Sequence, residues 1–228
     1  ADRQPEFTQL DLEMSFVDRE DVIDLITGLF IRLWKEILNI DLPTPFPRMR
    51  YQEAMERFGI DRPDMRYGLE LREASDWAAG TDASVFKSVV ETGGRVKLIN
   101  VPGGAAALTR KAIDALTEEA RKFGAKGLAY LKLGGEAGAG KMSGPIAKFL
   151  SDDKQAELRR RAQASDGDII LFCADTLDTC YRVLGELRQQ IARQLKLVPE
   201  GLHKFLWVTD FPSFDYDAAT QRHIAKHH

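Results

Sequence analysis

Asp11 and Glu13 place two carboxylates two residues apart in a stretch that alternates strictly from Thr8 onward. Leu10, Leu12, Met14 and Phe16 fall on one side, Gln9, Asp11, Glu13 and Ser15 on the other, because side chains of a strand alternate with period two. Same-face neighbours lie about 7 Å apart at about 3.3 Å per residue. That separation suits holding an ammonium group or a metal-bound phosphate between two acids rather than contact between them. Alternation alone equally describes an antiparallel strand with a solvated polar face.

The residues leading into the stretch add a second pattern. Arg3, Phe7 and Asp11 recur at four-residue intervals as Arg-x-x-x-Phe-x-x-x-Asp. This resembles the second half of motif 2 of the class II aminoacyl-tRNA synthetases, and ADRQPEFTQLD is similar to the version found in bacterial-type aspartyl-tRNA synthetases. The chemistry is compatible: a guanidinium forks onto phosphate, an aromatic face stacks on adenine, and a carboxylate pairs with an amine. The resemblance implies Arg3, Gln4, Phe7 and Glu13 as ATP-binding residues, Glu13 also as a carrier of magnesium, and Gln9 and Asp11 as aspartate-binding residues. In RHIAKHH, His227 matches the first of an adjacent His-His pair that the family carries in a mobile loop closing over aspartate. This implies His227 and His228 as further aspartate-binding residues, since an imidazole can donate to carboxylates. Two histidines at the end of a chain also fit the start of an affinity tag.

These residues need elements to hold them. After Asp18, a good N-cap with Glu20 and Asp21 behind it, the apolar spacing from Val22 to Ile37 predicts a helix with one buried stripe. The stripe is expected to pack on the apolar side of the first strand. Prolines 43, 45 and 47 then punctuate a connection to a short strand at Arg48 to Tyr51 and a helix at Gln52 to Phe58, stopped by Gly59. Residues 47 to 71 are similar to the segment that follows motif 2 in the same family. That family usually carries Gly-Ser-Asp-Lys-Pro-Asp in the turn, where this chain has Ile60 and Arg62. Asp61, Arg62, Asp64 and Arg66 are expected to form a solvated, self-paired loop.

Residues 72–203 read as a separate module. Strands are predicted at Arg95 to Val101, Gly127 to Leu133, Pro145 to Leu150 and Asp168 to Cys173. They are interleaved with helices near Arg110 to Phe123, Asp152 to Ala164 and Leu177 to Leu195. Thr109 and Ser151 suit N-caps and Gly124 a helix stop. GGRVKLINVPGGAAALTRKAIDALTEEARKFGAKGLAYLKL and GPIAKFL resemble the insertion domain (GAD domain) that bacterial-type aspartyl-tRNA synthetases share with the B subunit of the tRNA-dependent amidotransferase. Within the module, GEAGAGK at 135–141 matches Gly-x-x-x-x-Gly-Lys, the phosphate-cradling P-loop. Met142 stands where the magnesium-binding Ser or Thr belongs, and Gly144-Pro145 would break the helix that should follow, so a glycine-rich loop is the expected structure. KFLWVTDFPSFDYD then predicts a strand from Phe205 to Thr209 and resembles the family's re-entry into its catalytic sheet.

Composition narrows the class. The 228 residues carry a net charge of -3, giving no general attraction to nucleic acid, so any RNA contact is local. No apolar run is long enough to cross a bilayer, and a cytoplasmic location is expected. Cys173 and Cys180, the only cysteines, suit buried free thiols. The expected fold is α+β: part of a class II synthetase antiparallel catalytic sheet with helices (1–71 and 204–228), interrupted by an inserted α/β domain (72–203).

The resemblance implies an aspartate-tRNA ligase using ATP, Mg2+, L-aspartate and tRNA, specific for the aspartate tRNA or serving the asparagine tRNA as well, and homodimeric when complete. Motif 1, the Arg-x-Glu half of motif 2, motif 3 and the anticodon-binding domain are not among these residues, so a piece of a longer protein, inactive alone, is expected. The alternative is a non-catalytic tRNA-binding or assembly module like the insertion domain of the amidotransferase B subunit.

Overall fold

The computed structural model describes residues 6–135, 138–217 and 220–226. It contains two compact units, Ala1–Phe46 and Pro47–His228.

The first unit is built on α1, Arg19–Leu38. Asp18 caps it, its side chain accepting from the Glu20 and Asp21 amides, while the Asp21 carboxylate accepts from the Asp18 amide at 2.9 Å. This reciprocal box satisfies amides that the first turn leaves without partners. The helix ends at Asn39, left-handed at φ 54°. The expected strand before it does not form: residues 7–14 are in no ladder, and Leu10, Leu12 and Phe16 are 69%, 53% and 108% exposed. The α1 stripe is covered only in part: Ile23 is buried and Ile26, Leu29, Phe30 and Trp34 are half-buried, while Leu25, Leu33 and Ile37 remain exposed. An alternating segment becomes a strand only when a neighbour supplies the ladder and a surface covers its apolar face, and the described residues supply neither.

The second unit begins with β1 (Arg48–Arg50) and α2 (Tyr51–Phe58), which stops at Gly59 with φ 69°. A five-stranded sheet follows, formed by β2 (Leu71–Glu73), β3 (Arg95–Val101), β4 (Ala129–Leu133), β5 (Met142–Ser143) and β6 (Ile169–Asp175). Its spatial order is β2-β3-β6-β4-β5. Every pairing is antiparallel, and β3 and β6 run in register from Arg95 opposite Asp175 to Val101 opposite Ile169. The inserted module is therefore α+β rather than α/β: its strands and helices alternate in sequence, yet no helix links two parallel neighbours.

Helices cover both faces of the sheet. They are α3 (Ser75–Ala79), α4 (Ser84–Glu91), α5 (Gly104–Ala107), α6 (Arg110–Lys122), α7 (Asp152–Ala162) and α8 (Leu177–Gln194). One core gathers Ile99, Leu171 and Cys173 with Ile113 and Leu116 of α6 and Leu184, Leu187 and Ile191 of α8. The other gathers Leu98, Leu131 and Phe172 with Trp77, Phe86 and Leu158. Burial from both sides explains why β6 reads as an unbroken apolar run. The strand predicted at Pro145 to Leu150 is instead a 3-10 turn, Ala147–Phe149. Proline 145 cannot donate to a ladder, and Ile146 and Leu150 reach the core from a turn just as well.

The chain closes with β7 (Trp207–Thr209), paired parallel to β1, and the hairpin of β8 (Phe214–Asp217) and β9 (Arg222–Ala225). Among the described residues, no helix is long and apolar enough to cross a membrane.

Candidate functional site

Of the residues implied in ATP and aspartate binding, Arg3, Gln4, His227 and His228 lie outside the described residues. Phe7, Gln9, Asp11 and Glu13 are all exposed, Phe7 by 73%. The structure brings two of them together: Gln9 Nε2 donates to Asp11 Oδ1 at 2.5 Å, the i to i+2 contact that a shared face predicts. Asp11 and Glu13 thus meet open solvent rather than line a floor. With no neighbouring strand to pair them, the polar face has nothing to close against. Among the described residues no group of three or more His, Cys, Asp or Glu side chains could hold a metal ion.

The loop after α2 is far more constrained than its charged sequence suggests. Arg66 and Asp64 pair as expected, Nη2 to Oδ2 at 2.8 Å, and that hydrogen bond holds the Asp64 carboxyl below its usual value. Arg57 forks onto Glu70 at 3.0 and 2.8 Å, tying α2 to the approach of β2 and likewise lowering the Glu70 carboxyl.

The residue that sequence reasoning missed is Arg188 of α8. It is fully buried and donates to the carbonyls of Asp64 (2.6 Å), Tyr67 (3.1 Å) and Gly68 (3.2 Å) and to the Tyr67 hydroxyl (3.3 Å). Its guanidinium lies over the Tyr67 ring at 4.2 Å and the Phe58 ring at 4.7 Å. The signal was present: an arginine inside the run Val183, Leu184, Leu187, Ile191 interrupts an otherwise apolar stripe. Beside it, α2 and α8 approach closely through glycines. A Cβ on Gly59 would stand 2.3 Å from the Tyr181 carbonyl oxygen, and one on Gly185 would stand 2.9 Å from the Gly59 carbonyl oxygen.

The P-loop match dissolves in the structure. β5, not a helix, follows Lys141, and the Gly140 amide donates to the Asp166 carboxylate at 3.0 Å. That carboxylate, also held by Arg159, would repel a phosphate there. The two thiols are free and buried, Cys180 Sγ lying 3.5 Å from the Cys173 carbonyl oxygen.

Residues 86–184 match the GAD domain family, which accounts for most of the five-stranded sheet and its covering helices. The stretches on either side of this domain also align with aminoacyl-tRNA synthetases. Along its whole length the chain is 48% identical to the aspartate--tRNA(Asp/Asn) ligase of Persephonella marina and 48% identical to the aspartate--tRNA ligase of Listeria monocytogenes. The aspartate--tRNA ligase of Geobacillus kaustophilus is 47% identical over 228 residues. Over its whole length the chain is thus similar to bacterial aspartate-tRNA ligases. It spans 37% to 38% of the length of these relatives, consistent with a central segment containing the GAD domain.

Proposed function

We propose that this chain is the part of an aspartate-tRNA ligase that supplies the aspartate and adenine contacts of the catalytic site, together with its inserted GAD domain. Identity near one half over the whole chain, a span that includes ADRQPEFTQLD and LWVTDFP on either side of that domain, carries the reading. The reaction begins when an aspartate carboxylate oxygen attacks the α-phosphorus of ATP, releasing pyrophosphate and leaving aspartyl-adenylate. A hydroxyl of the terminal tRNA ribose then attacks the acyl carbon, and AMP departs. Neither step needs a covalent enzyme intermediate, so fixed charge and position supply the acceleration.

Arg3 and Gln4 contact ATP, and Phe7 stacks on adenine. Asp11, steered by Gln9 through the 2.5 Å hydrogen bond, holds the substrate ammonium. His227 and His228 donate to the substrate carboxylates. Magnesium carried on nucleotide phosphates needs only one or two protein carboxylates, and Glu13 would be one; the ion offsets phosphate charge. Residues 1–71 and 204–228 belong to the catalytic domain and 72–203 to the insertion. The active form is a cytoplasmic homodimer of longer chains, charging aspartate tRNA, with asparagine tRNA a further substrate in a chain of the Persephonella type.

The exposure of residues 7–13 favours a second reading for the 228 residues in isolation, a non-catalytic RNA-binding or assembly module. Pyrophosphate exchange separates the two. The isolated chain is expected to show no aspartate-dependent exchange, and a chain extended to the relatives' length to show it. An extended chain without exchange would leave only the module.

A further inference from the structure

Cys173 lies near the end of β6 and Cys180 in the first turn of α8, seven positions on. Both side chains enter the same core, beside Ile99, Leu184 and Leu187, and both thiols are free. The Cys180 Sγ lies 3.5 Å from the Cys173 carbonyl oxygen and 3.5 Å from the Arg95 carbonyl oxygen, and the two thiols also hydrogen-bond to one another. A strand end and a helix start thus bring two reducing groups into contact, and neither takes part in the proposed ligase chemistry. No third His, Cys, Asp or Glu completes a metal site with them among the described residues.

The pair is buried, yet it lies directly beneath the surface. Thr176, Leu177 and Asp178, which lead into Cys180, are exposed, and so is Arg95, whose carbonyl the Cys180 thiol meets. The Cys180 amide donates to the Thr176 carbonyl at 3.0 Å, the first main-chain hydrogen bond of α8. Fraying of that one turn uncovers the sulfur while the sheet stays paired. The two thiols are also unequal. Donation from the Cys173 thiol, with main-chain hydrogen bonds at Asp175 and Lys97, holds the Cys180 thiol below its usual value against burial and the Asp175 charge. The same contact, together with burial, pushes the Cys173 thiol up. A thiolate near a helix N-terminus beside a protonated partner is the arrangement of an attacking and a resolving cysteine.

We propose that Cys180 and Cys173 form a peroxide-responsive pair that closes to an intramolecular disulfide between β6 and α8. The Cys180 thiolate attacks one oxygen of hydrogen peroxide, the O–O bond breaks, hydroxide leaves, and Cys180 becomes a sulfenic acid. The Cys173 sulfur then attacks the Cys180 sulfur; the S–O bond breaks, and the Cys173 proton departs with that oxygen as water. Peroxide gains the two electrons that the sulfurs lose. A bond of about 2.05 Å replaces the contact between the thiols. Added thiol reverses the step by exchange. The pair belongs to the Pro47–His228 unit alone.

The test exposes the reduced 228-residue chain to a small molar excess of hydrogen peroxide under native conditions, then denatures it in a maleimide and weighs it. A monomer lighter by two hydrogens and carrying no maleimide is expected, with both labels recovered after treatment with dithiothreitol. Asp175 and Asp178 lie between the cysteines, so cleavage at aspartate separates the two peptides unless a disulfide joins them. Cys173→Ser should stop at the first step, gaining one oxygen on Cys180 that dimedone traps. Cys180→Ser should leave Cys173 fully labelled by the maleimide over the same interval. If either serine variant fails to fold, the mass and the joined peptides of the unaltered chain still decide. Two labelled thiols in the unaltered chain, oxygen added without a bridge, or a disulfide between two copies would overturn the proposal, as would a folded Cys173→Ser that gains no oxygen.

Discussion

A single buried guanidinium organises the loop between α2 and β2. Among the described residues Arg188 forms no ion pair with a carboxylate; its charge is met by three carbonyls, one hydroxyl and two aromatic faces, and burial lowers its affinity for a proton. Replacing it leaves those carbonyls buried without donors, a loss of about 3 kcal/mol on the scale of breaking buried polar clusters. Arg188→Met, which keeps bulk but no donor, should therefore lower the urea midpoint of the Pro47–His228 unit. Amides of residues 64–68 should also exchange faster with solvent. Arg188→Lys should rescue little, because one ammonium cannot reach three carbonyls and stack on two rings at once. An unchanged urea midpoint in Arg188→Met would show that the clasp contributes nothing.

At the scale of elements, legibility followed the strength of local signals. Helices with side-chain caps stood clear: Asp18 for α1, Thr109 for α6 and Ser151 for α7 each accept from an amide of the first turn. α3 and α4 were not legible. Both begin at alanines that offer no capping side chain, and α4 carries the β-branched residues Val85, Val89 and Val90. Pro145 to Leu150 looked like a strand because its apolar content is right, but content without a ladder donor gives a turn. The N-terminal stretch is the instructive case. Its alternation is real, and Gln9 and Asp11 do share a face, yet a strand is a property of two segments and no second segment pairs with it among the described residues. Amides of residues 7–14 should therefore exchange within seconds in the isolated chain and become protected in a chain of the relatives' full length. Equal exchange in both would remove the case for a catalytic strand.

The whole molecule is two units of different character. Pro47–His228 holds both cores of the five-stranded sheet, and its ion pairs make its stability sensitive to acid. Glu70 and Asp64, each held by an arginine, ionise below their usual values of 4.5 and 3.8 when folded. A carboxylate lowered on folding adds stability that is complete above its unfolded value and is lost as pH falls through the folded one. The melting temperature should therefore fall between about pH 5 and pH 3. Glu70→Gln, lower at neutral pH, should fall less steeply over that range; parallel curves would rule out the Arg57–Glu70 fork as the cause.

On the proposed reading, residues 6–17 would act only within a chain of the relatives' full length, and Asp11 is the side chain on which that claim turns. The most direct measurement is binding of a non-hydrolysable aspartyl-adenylate mimic to a chain of the relatives' full length, with and without Asp11→Ala. The account predicts tight binding that Asp11→Ala weakens roughly 100-fold, the cost of leaving the ligand ammonium without its charged partner. Equal affinity in the two proteins would contradict it.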